Sequence, residues 1–270
     1  MLIDLKQNSS LGLKFDSEES TMSFEQDLQP RAAAIRTIDQ MQEVLLDKQV
    51  SQPQELYYMF RDMHRLSDKS VLEEYKLRFD VTAIKPDCLN REFMKTAGHY
   101  HPQDFGELYE VLSGRCFCLL QRPDEQDKKI IQEAVLIEAQ AGEKILIPPK
   151  FGHILINPGP GYLITANWVS SCFSSEYELY KKAQGAAYFV IKAQEGQSQV
   201  SPYLGIAAEI KKNSYFSKLA DVSFLRPAKQ IEKFGLKQDV PMYNIINSNP
   251  GLLDFLNHPM QYTYGDVFVK

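Results

Sequence analysis

Apolar and polar residues alternate with a period of two around residue 79. Tyr75, Leu77, Phe79 and Val81 interleave there with Lys76, Arg78, Asp80 and Thr82. Such alternation predicts a strand with one buried face. Further strand-like segments follow in close order near residues 93–101, 108–121, 130–138, 144–147, 153–156 and 162–168. Turn signals separate them: Lys85-Pro86-Asp87, Ser113-Gly114, Arg122-Pro123-Asp124, Ala141-Gly142 and Asn157-Pro158-Gly159-Pro160-Gly161. Many short strands without helices between them indicate a mainly β sandwich or barrel, not a parallel α/β sheet.

The flanks follow other patterns. Residues 1–30 are polar, acidic and Ser-rich with short apolar patches, which suits an arm or an edge strand. From Arg31 the apolar positions Ile35, Ile38, Met41, Val44 and Leu45 recur at spacings of three and four, predicting a helix to about Asp47. Pro53 then opens a second predicted helix with Leu56, Met59, Phe60 and Met63 on one side. Residues 176–184 have helical composition, and Ala187–Ala193 reads as one more strand. Beyond Gln194 the chain turns polar, which places the division of the chain at 1–30 (arm), 31–193 (barrel with preceding helices) and 194–270 (extension). In the extension, 250–256 reads as a short helix and 262–268 as a strand.

Composition narrows the partners. With 270 residues, 44% hydrophobic and 24% charged, the chain has the make-up of a globular protein able to bury a sizeable core. A net charge of -5 and a pI near 5.6 argue against a nucleic-acid partner. Four cysteines, Cys88, Cys116, Cys118 and Cys172, are too few and irregular for a disulfide framework, and Cys116 and Cys118 read as small buried side chains. No apolar run reaches the length of a signal peptide or a membrane span, so a cytoplasmic protein without a membrane partner is expected.

The chemistry concentrates in the histidines. Two of the five, His99 and His101, stand one residue apart and leave the same face of a strand, with Glu107 shortly after. Two imidazoles and a carboxylate suit a divalent first-row metal. His64 sits among charged residues on a predicted helix and reads as a surface residue. His258 belongs to no motif.

Two segments of this region, His99-x-His101-x5-Glu107-x6-Gly114 and Gly142-x5-Pro148-x4-His153-x3-Asn157, resemble the two motifs of the cupin superfamily. The resemblance implies a cupin jelly-roll β-barrel and four metal ligands, His99, His101, Glu107 and His153. They would hold one divalent ion per chain, Fe2+ first, with Mn2+, Zn2+ or Ni2+ as alternatives. Two features depart from the usual pattern. Five residues separate His101 from Glu107, and Lys150 stands where the Pro-x-Gly turn has glycine.

A finer resemblance covers roughly residues 31–193. Lys95-Thr96-Ala97-Gly98-His99-Tyr100-His101, Glu107-Leu108-Tyr109-Glu110-Val111-Leu112, Leu119-Leu120-Gln121 and Ile147-Pro148-Pro149 resemble the cupin-type glucose-6-phosphate isomerases, as do Tyr57/Tyr58 and Asp80-Val81-Thr82-Ala83-Ile84 upstream. It implies a homodimer that interconverts glucose 6-phosphate and fructose 6-phosphate, by an enediol or a hydride shift. Glu107 would be both ligand and proton carrier. Thr82, Thr96 and Gly98 would receive the phosphate, and Tyr109 and Tyr177 would contact the sugar. A histidine that the family carries just before that last tyrosine is replaced by Ser174 or Ser175. The cupin scaffold leaves two further readings open, an Fe(II) dioxygenase and a non-enzymatic sugar-binding barrel, and within the first class a phosphomannose isomerase.

Overall fold

The computed structural model describes residues 1–102, 105–194 and 201–269. The polar stretch expected to close the barrel, 195–200, lies outside these residues.

Two sheets carry the architecture. One has six strands in the order Lys144–Ile147, Glu107–Ser113, Leu163–Ser170, Leu77–Ile84, Glu55–Phe60 and Ala34–Thr37. The other runs Ala208–Lys212, Tyr188–Lys192, Glu92–Lys95, Gly152–Asn157, Arg115–Pro123, Ile130–Gln140, Val222–Pro227 and Phe268–Val269, with two short strands beside this path. The barrel is mainly β, as its alternation implies, and has the cupin jelly-roll form. Gly114, at φ +90, turns the chain from one sheet into the other. A Cβ there would meet the Tyr162 carbonyl oxygen at 2.6 Å, so the turn also needs glycine for space.

Both expected N-terminal helices are replaced by strands. Ala34–Thr37 pairs with Glu55–Phe60, and helix is confined to Ile38–Met41 and one 3-10 turn, Gln42–Val44. Ile35, the first residue of the supposed apolar face, is 40% exposed. In the Glu55 strand, Leu56, Tyr57, Tyr58 and Phe60 are all buried because both faces are covered. Burial on two sides erases the period of two and leaves spacings that mimic a helix. The same cause corrects the single buried face expected of the Leu77 strand. Its polar residues Asp80 and Thr82 are buried too, on the inner face of the sheet.

The expected short helices at 176–184 and 250–256 form as Glu178–Lys182 and as a 3-10 helix, Pro250–Leu256. The strand expected at 262–268 does not; only Phe268–Val269 forms a strand there. His64 is buried, its Nδ1 2.9 Å from the Arg65 carbonyl oxygen, and is not a surface residue. No helix among the described residues is long and apolar enough to cross a membrane.

The core divides in two. Inside the barrel, Phe117, Leu119, Val111, Ile145 and Ile154 pack together with Cys116 and Cys118. Burial pushes the Cys116 thiol up to about 12, and Cys118 rises as well, which keeps both inert. Outside the six-stranded sheet, Phe79, Trp168 and Leu108 face a second cluster built from the N-terminal meander and residues 228–267. Two polar features anchor that layer. Trp168 Nε1 donates to the Met242 carbonyl at 3.2 Å. Glu110 accepts the Met242 N–H at 2.8 Å and the Lys144 ammonium at 2.7 Å.

Candidate metal centre and pocket

The two histidine motifs meet edge to edge. His99 and His153 form an antiparallel bridge, with backbone hydrogen bonds of 3.3 and 3.1 Å in the two directions. Thr96 N–H donates to the Leu155 carbonyl at 2.9 Å, extending the pairing. Gly98 lies between them at φ +77, and a Cβ there would stand 2.5 Å from Ile154 Cγ1 and 2.9 Å from Tyr180. Only glycine allows this close approach. The second motif turns at Lys150, which adopts the left-handed conformation, φ +69, that glycine would take. The Lys150 ammonium reaches Glu125 at 2.6 Å.

From the opposite sheet, Glu107 enters the same space. Its Oε2 lies 3.0 Å from His153 Nε2, 3.2 Å from His101 Nε2 and 3.7 Å from His99 Nε2. His99 Nε2 and His101 Nε2 are 3.1 Å apart. One ligand atom from each of the four residues lies within 4.8 Å of every other. Bonds of about 2.0–2.2 Å to a common ion would put neighbouring donors about 3 Å apart and opposite ones about 4 Å apart. The spacing therefore fits. So does the proton count. His101 Nδ1 lies 2.8 Å from the Phe105 carbonyl oxygen, which holds the proton on Nδ1 and leaves Nε2 a lone pair. Glu107 Oε2 is buried without a hydrogen-bond partner. A divalent cation satisfies such a set of inward-facing lone pairs.

Electrostatics agree. Burial, with repulsion from His153, pulls the His99 imidazole down to about 3 despite the Glu107 charge. His153 is lowered by burial as well. Burial pushes the Glu107 carboxyl up, but the surrounding imidazoles outweigh it and hold the group well below the usual carboxylate range. At neutral pH His99 and His153 are thus neutral and Glu107 is ionised, the forms in which these groups bind metal. Among the described residues no other group of histidines, cysteines or carboxylates gathers in this way.

The cluster opens into a pocket of about 310 Å³. Thr82, Thr96, Gly98, Tyr109 and Tyr177, each expected to touch substrate, all line it, as do Ser174 and Ser175. The Thr96 hydroxyl accepts the Leu155 N–H at 3.1 Å and keeps its own proton to donate. Tyr109 OH stands 3.2 Å from His153 Nε2. Burial and then the Glu107 charge push its hydroxyl well above the ordinary tyrosine range, so it stays protonated. Tyr57 lines the pocket while Tyr58 faces the outer cluster. The Tyr57 hydroxyl accepts N–H groups from Ala97 and Arg36.

Four polar pocket residues were assigned no role in the sequence: Arg61, Arg78, Asp80 and Asn167. Asn167 Nδ2 donates to Glu107 Oε1 at 2.7 Å. For Arg78 and Asp80 the available signal was the polar half of the alternating Leu77 strand, once that face is taken to point inward.

A cupin barrel with three histidines and a glutamate converging inside its mouth is the class that fold and site define. The particular family follows from sequence. The family model described as glucose-6-phosphate isomerase (GPI) matches residues 31–203, and the chain belongs to that family. A glucose-6-phosphate isomerase of Thermococcus litoralis is 36% identical over 88 residues, 32% of this chain and 43% of that protein. One from Pyrococcus horikoshii is 27% identical over 159 residues, 55% of this chain and 72% of that protein. The chain thus matches less than half the length of the first relative. Among solved structures, Bacillus subtilis oxalate decarboxylase aligns with a TM-score of 0.31 at 17% identity, over 43% of this chain and 26% of the other.

Proposed function

We infer that the protein is a metal-dependent aldose–ketose isomerase acting on glucose 6-phosphate and fructose 6-phosphate. The observation that carries this reading is that two of the four clustered ligand candidates, His99 and Glu107, line the same pocket as the five expected substrate contacts, within a chain of this family. His99, His101, His153 and Glu107 Oε2 would hold the ion. When bound, it polarises the carbonyl and hydroxyl of the open-chain sugar.

The chain's own residues do the rest. Glu107, ionised at neutral pH, takes the proton from one of the carbons C1 and C2 and returns it to the other, while Asn167 fixes Oε1. The protonated Tyr109 hydroxyl is placed to donate to a sugar oxygen beside the ligands. The Gly98 N–H makes no hydrogen bond among the described residues, so it remains to bind phosphate together with the hydroxyls of Thr82 and Thr96. Tyr177, its ring centroid 5.8 Å from that of His99, closes the side of the pocket over the substrate.

A coupled assay for fructose 6-phosphate → glucose 6-phosphate tests the reading. Activity should vanish after chelation and return on adding Fe2+, Mn2+, Zn2+ or Ni2+. Full turnover in metal-free protein would refute it. His153→Ala should abolish metal retention and His258→Ala should not; equal metal content in the two would show the ligand set to be wrong.

A further inference from the structure

Across the pocket from the histidines, two guanidinium groups converge on one buried carboxylate. Asp80 is only 5% exposed; Arg78 is 29% and Arg61 46% exposed. Arg78 Nε faces both Asp80 oxygens at 3.0 Å, Arg61 Nη1 donates to Oδ2 at 3.2 Å, and the Asp62 N–H donates to Oδ1 at 2.9 Å. A guanidinium that serves only as a counterion normally uses its paired fork. Here Arg78 spends Nε alone, and its Nη1 and Nη2 make no hydrogen bond among the described residues. Its side chain runs along its own strand toward Asp80, in the direction of Thr82, the next residue on that face.

Register fixes how far this lies from the metal ligands. Val169 pairs with Glu107 on one side and Arg78 on the other. The backbones of Glu107 and Arg78 are therefore two strand spacings apart, about 10 Å, and both side chains line the same pocket. Charge agrees. The formal charges of the acidic and basic residues lining the pocket, Arg61, Arg78, Asp80 and Glu107, cancel. A divalent ion would leave an excess of two positive charges, and a phosphate monoester carries about −1.5 to −2 at neutral pH.

We propose that Arg78, aimed by Asp80 and assisted by Arg61, is a specificity-determining residue that binds the phosphate dianion of the substrate beside Thr82. The ligand class is a phosphomonoester of a polyol or open-chain sugar. This rests on the isomerase reading for the identity of the substrate, but its test requires no turnover.

The test is calorimetric titration of the metal-loaded full chain with sorbitol 6-phosphate and with inorganic phosphate. Arg78→Gln should weaken both about 10- to 100-fold, the range of a charge-assisted hydrogen-bond pair, with metal content unchanged. Arg78→Lys should recover part of the loss, since it restores the charge but not the fork. The double variant D80N/R78Q has no unpaired buried carboxylate and should bind as weakly as R78Q. Wild-type affinity in R78Q, or its return in D80N/R78Q, would make Arg78 a mere counterion of Asp80 and overturn the proposal. A chain inactive as an isomerase that still shows the drop would refute the activity alone.

Discussion

Asn167 Nδ2 donates to Glu107 Oε1 at 2.7 Å, leaving Oε2 as the oxygen that meets the three imidazoles. The amide thereby divides the carboxylate, one oxygen held by protein and the other turned to the ligand cluster. Asn167→Leu removes the donor and strands Oε1 in a buried site. Losing a hydrogen bond behind a metal ligand commonly lowers metal affinity about 10- to 100-fold. Competition with a chelator should show that loss in Asn167→Leu. Equal affinity in the two proteins would mean that Glu107 is oriented by the histidines alone.

Acid should destabilise the metal-free protein through His99. In the folded chain its imidazole is drawn down to about 3 from an ordinary 6.5. Between those values the unfolded chain holds a proton that the folded chain does not, so stability rises with pH through the window and falls as acid is added. Glu107, held well below 4.5, acts with the same sign at lower pH. The loss attributable to His99 should reach about 1–2 kcal/mol by pH 5, at about 1.4 kcal/mol per pH unit before damping by partial exposure. The raised Glu110 carboxyl titrates with the opposite sign in part of this window, so urea midpoints at pH 7.5, 6 and 5 isolate the His99 share as the difference in slope between chelated wild type and His99→Gln. An unchanged slope would locate the proton uptake elsewhere.

The Glu110–Lys144 pair, at most 2% exposed on either side, joins the barrel to residues 228–267 through the Met242 N–H. Burial pushes the Glu110 carboxyl up to about 7, against the pull of Lys144. Lys144→Ala leaves that carboxyl without a counterion and should cost about 3–5 kcal/mol. Limited proteolysis should then cleave the extension sooner. Replacing both partners, as in E110Q/K144M, should recover most of the loss. If the single variant is as stable as wild type, the pair does not anchor the extension.

Lys150 holds a left-handed backbone before His153, so its substitutions should sort by shape. Glycine relieves roughly 1–2 kcal/mol of strain but gives back about 0.4–1 kcal/mol in unfolded-state entropy, leaving Lys150→Gly neutral to about 1 kcal/mol more stable. Valine tolerates this conformation poorly, and Lys150→Val should cost about 1–2 kcal/mol or more, with weaker metal retention. Thermal unfolding of the two variants separates the cases; equal stability would mean the turn relaxes to another conformation.

The ligand cluster was legible because its residues are rare and their spacing is set by strand geometry. Two histidines at i and i+2 share a strand face, and the third, His153, comes from the resemblance of its segment to the second cupin motif. The strands carrying Tyr57 and Asp80 were misread for a shared reason: each is covered on both faces, so alternation of character no longer reports alternation of exposure. Asn167 escaped notice because its partner Glu107 lies 60 residues away. The placement of residues 228–267 depends on contacts such as Met242 with Glu110, which local pattern does not encode.

The strand Glu107–Ser113 points Glu107 and Tyr109 into the pocket and Leu108 and Glu110 into the outer cluster. Sliding it by a single residue would exchange these two sets. A carboxylate would leave the histidines, and a buried lysine would lose its mate in the same movement. The outer layer therefore works as a register lock for the inner one, so truncating the chain before Met242 would loosen the seat of Glu107 without removing any residue that lines the pocket.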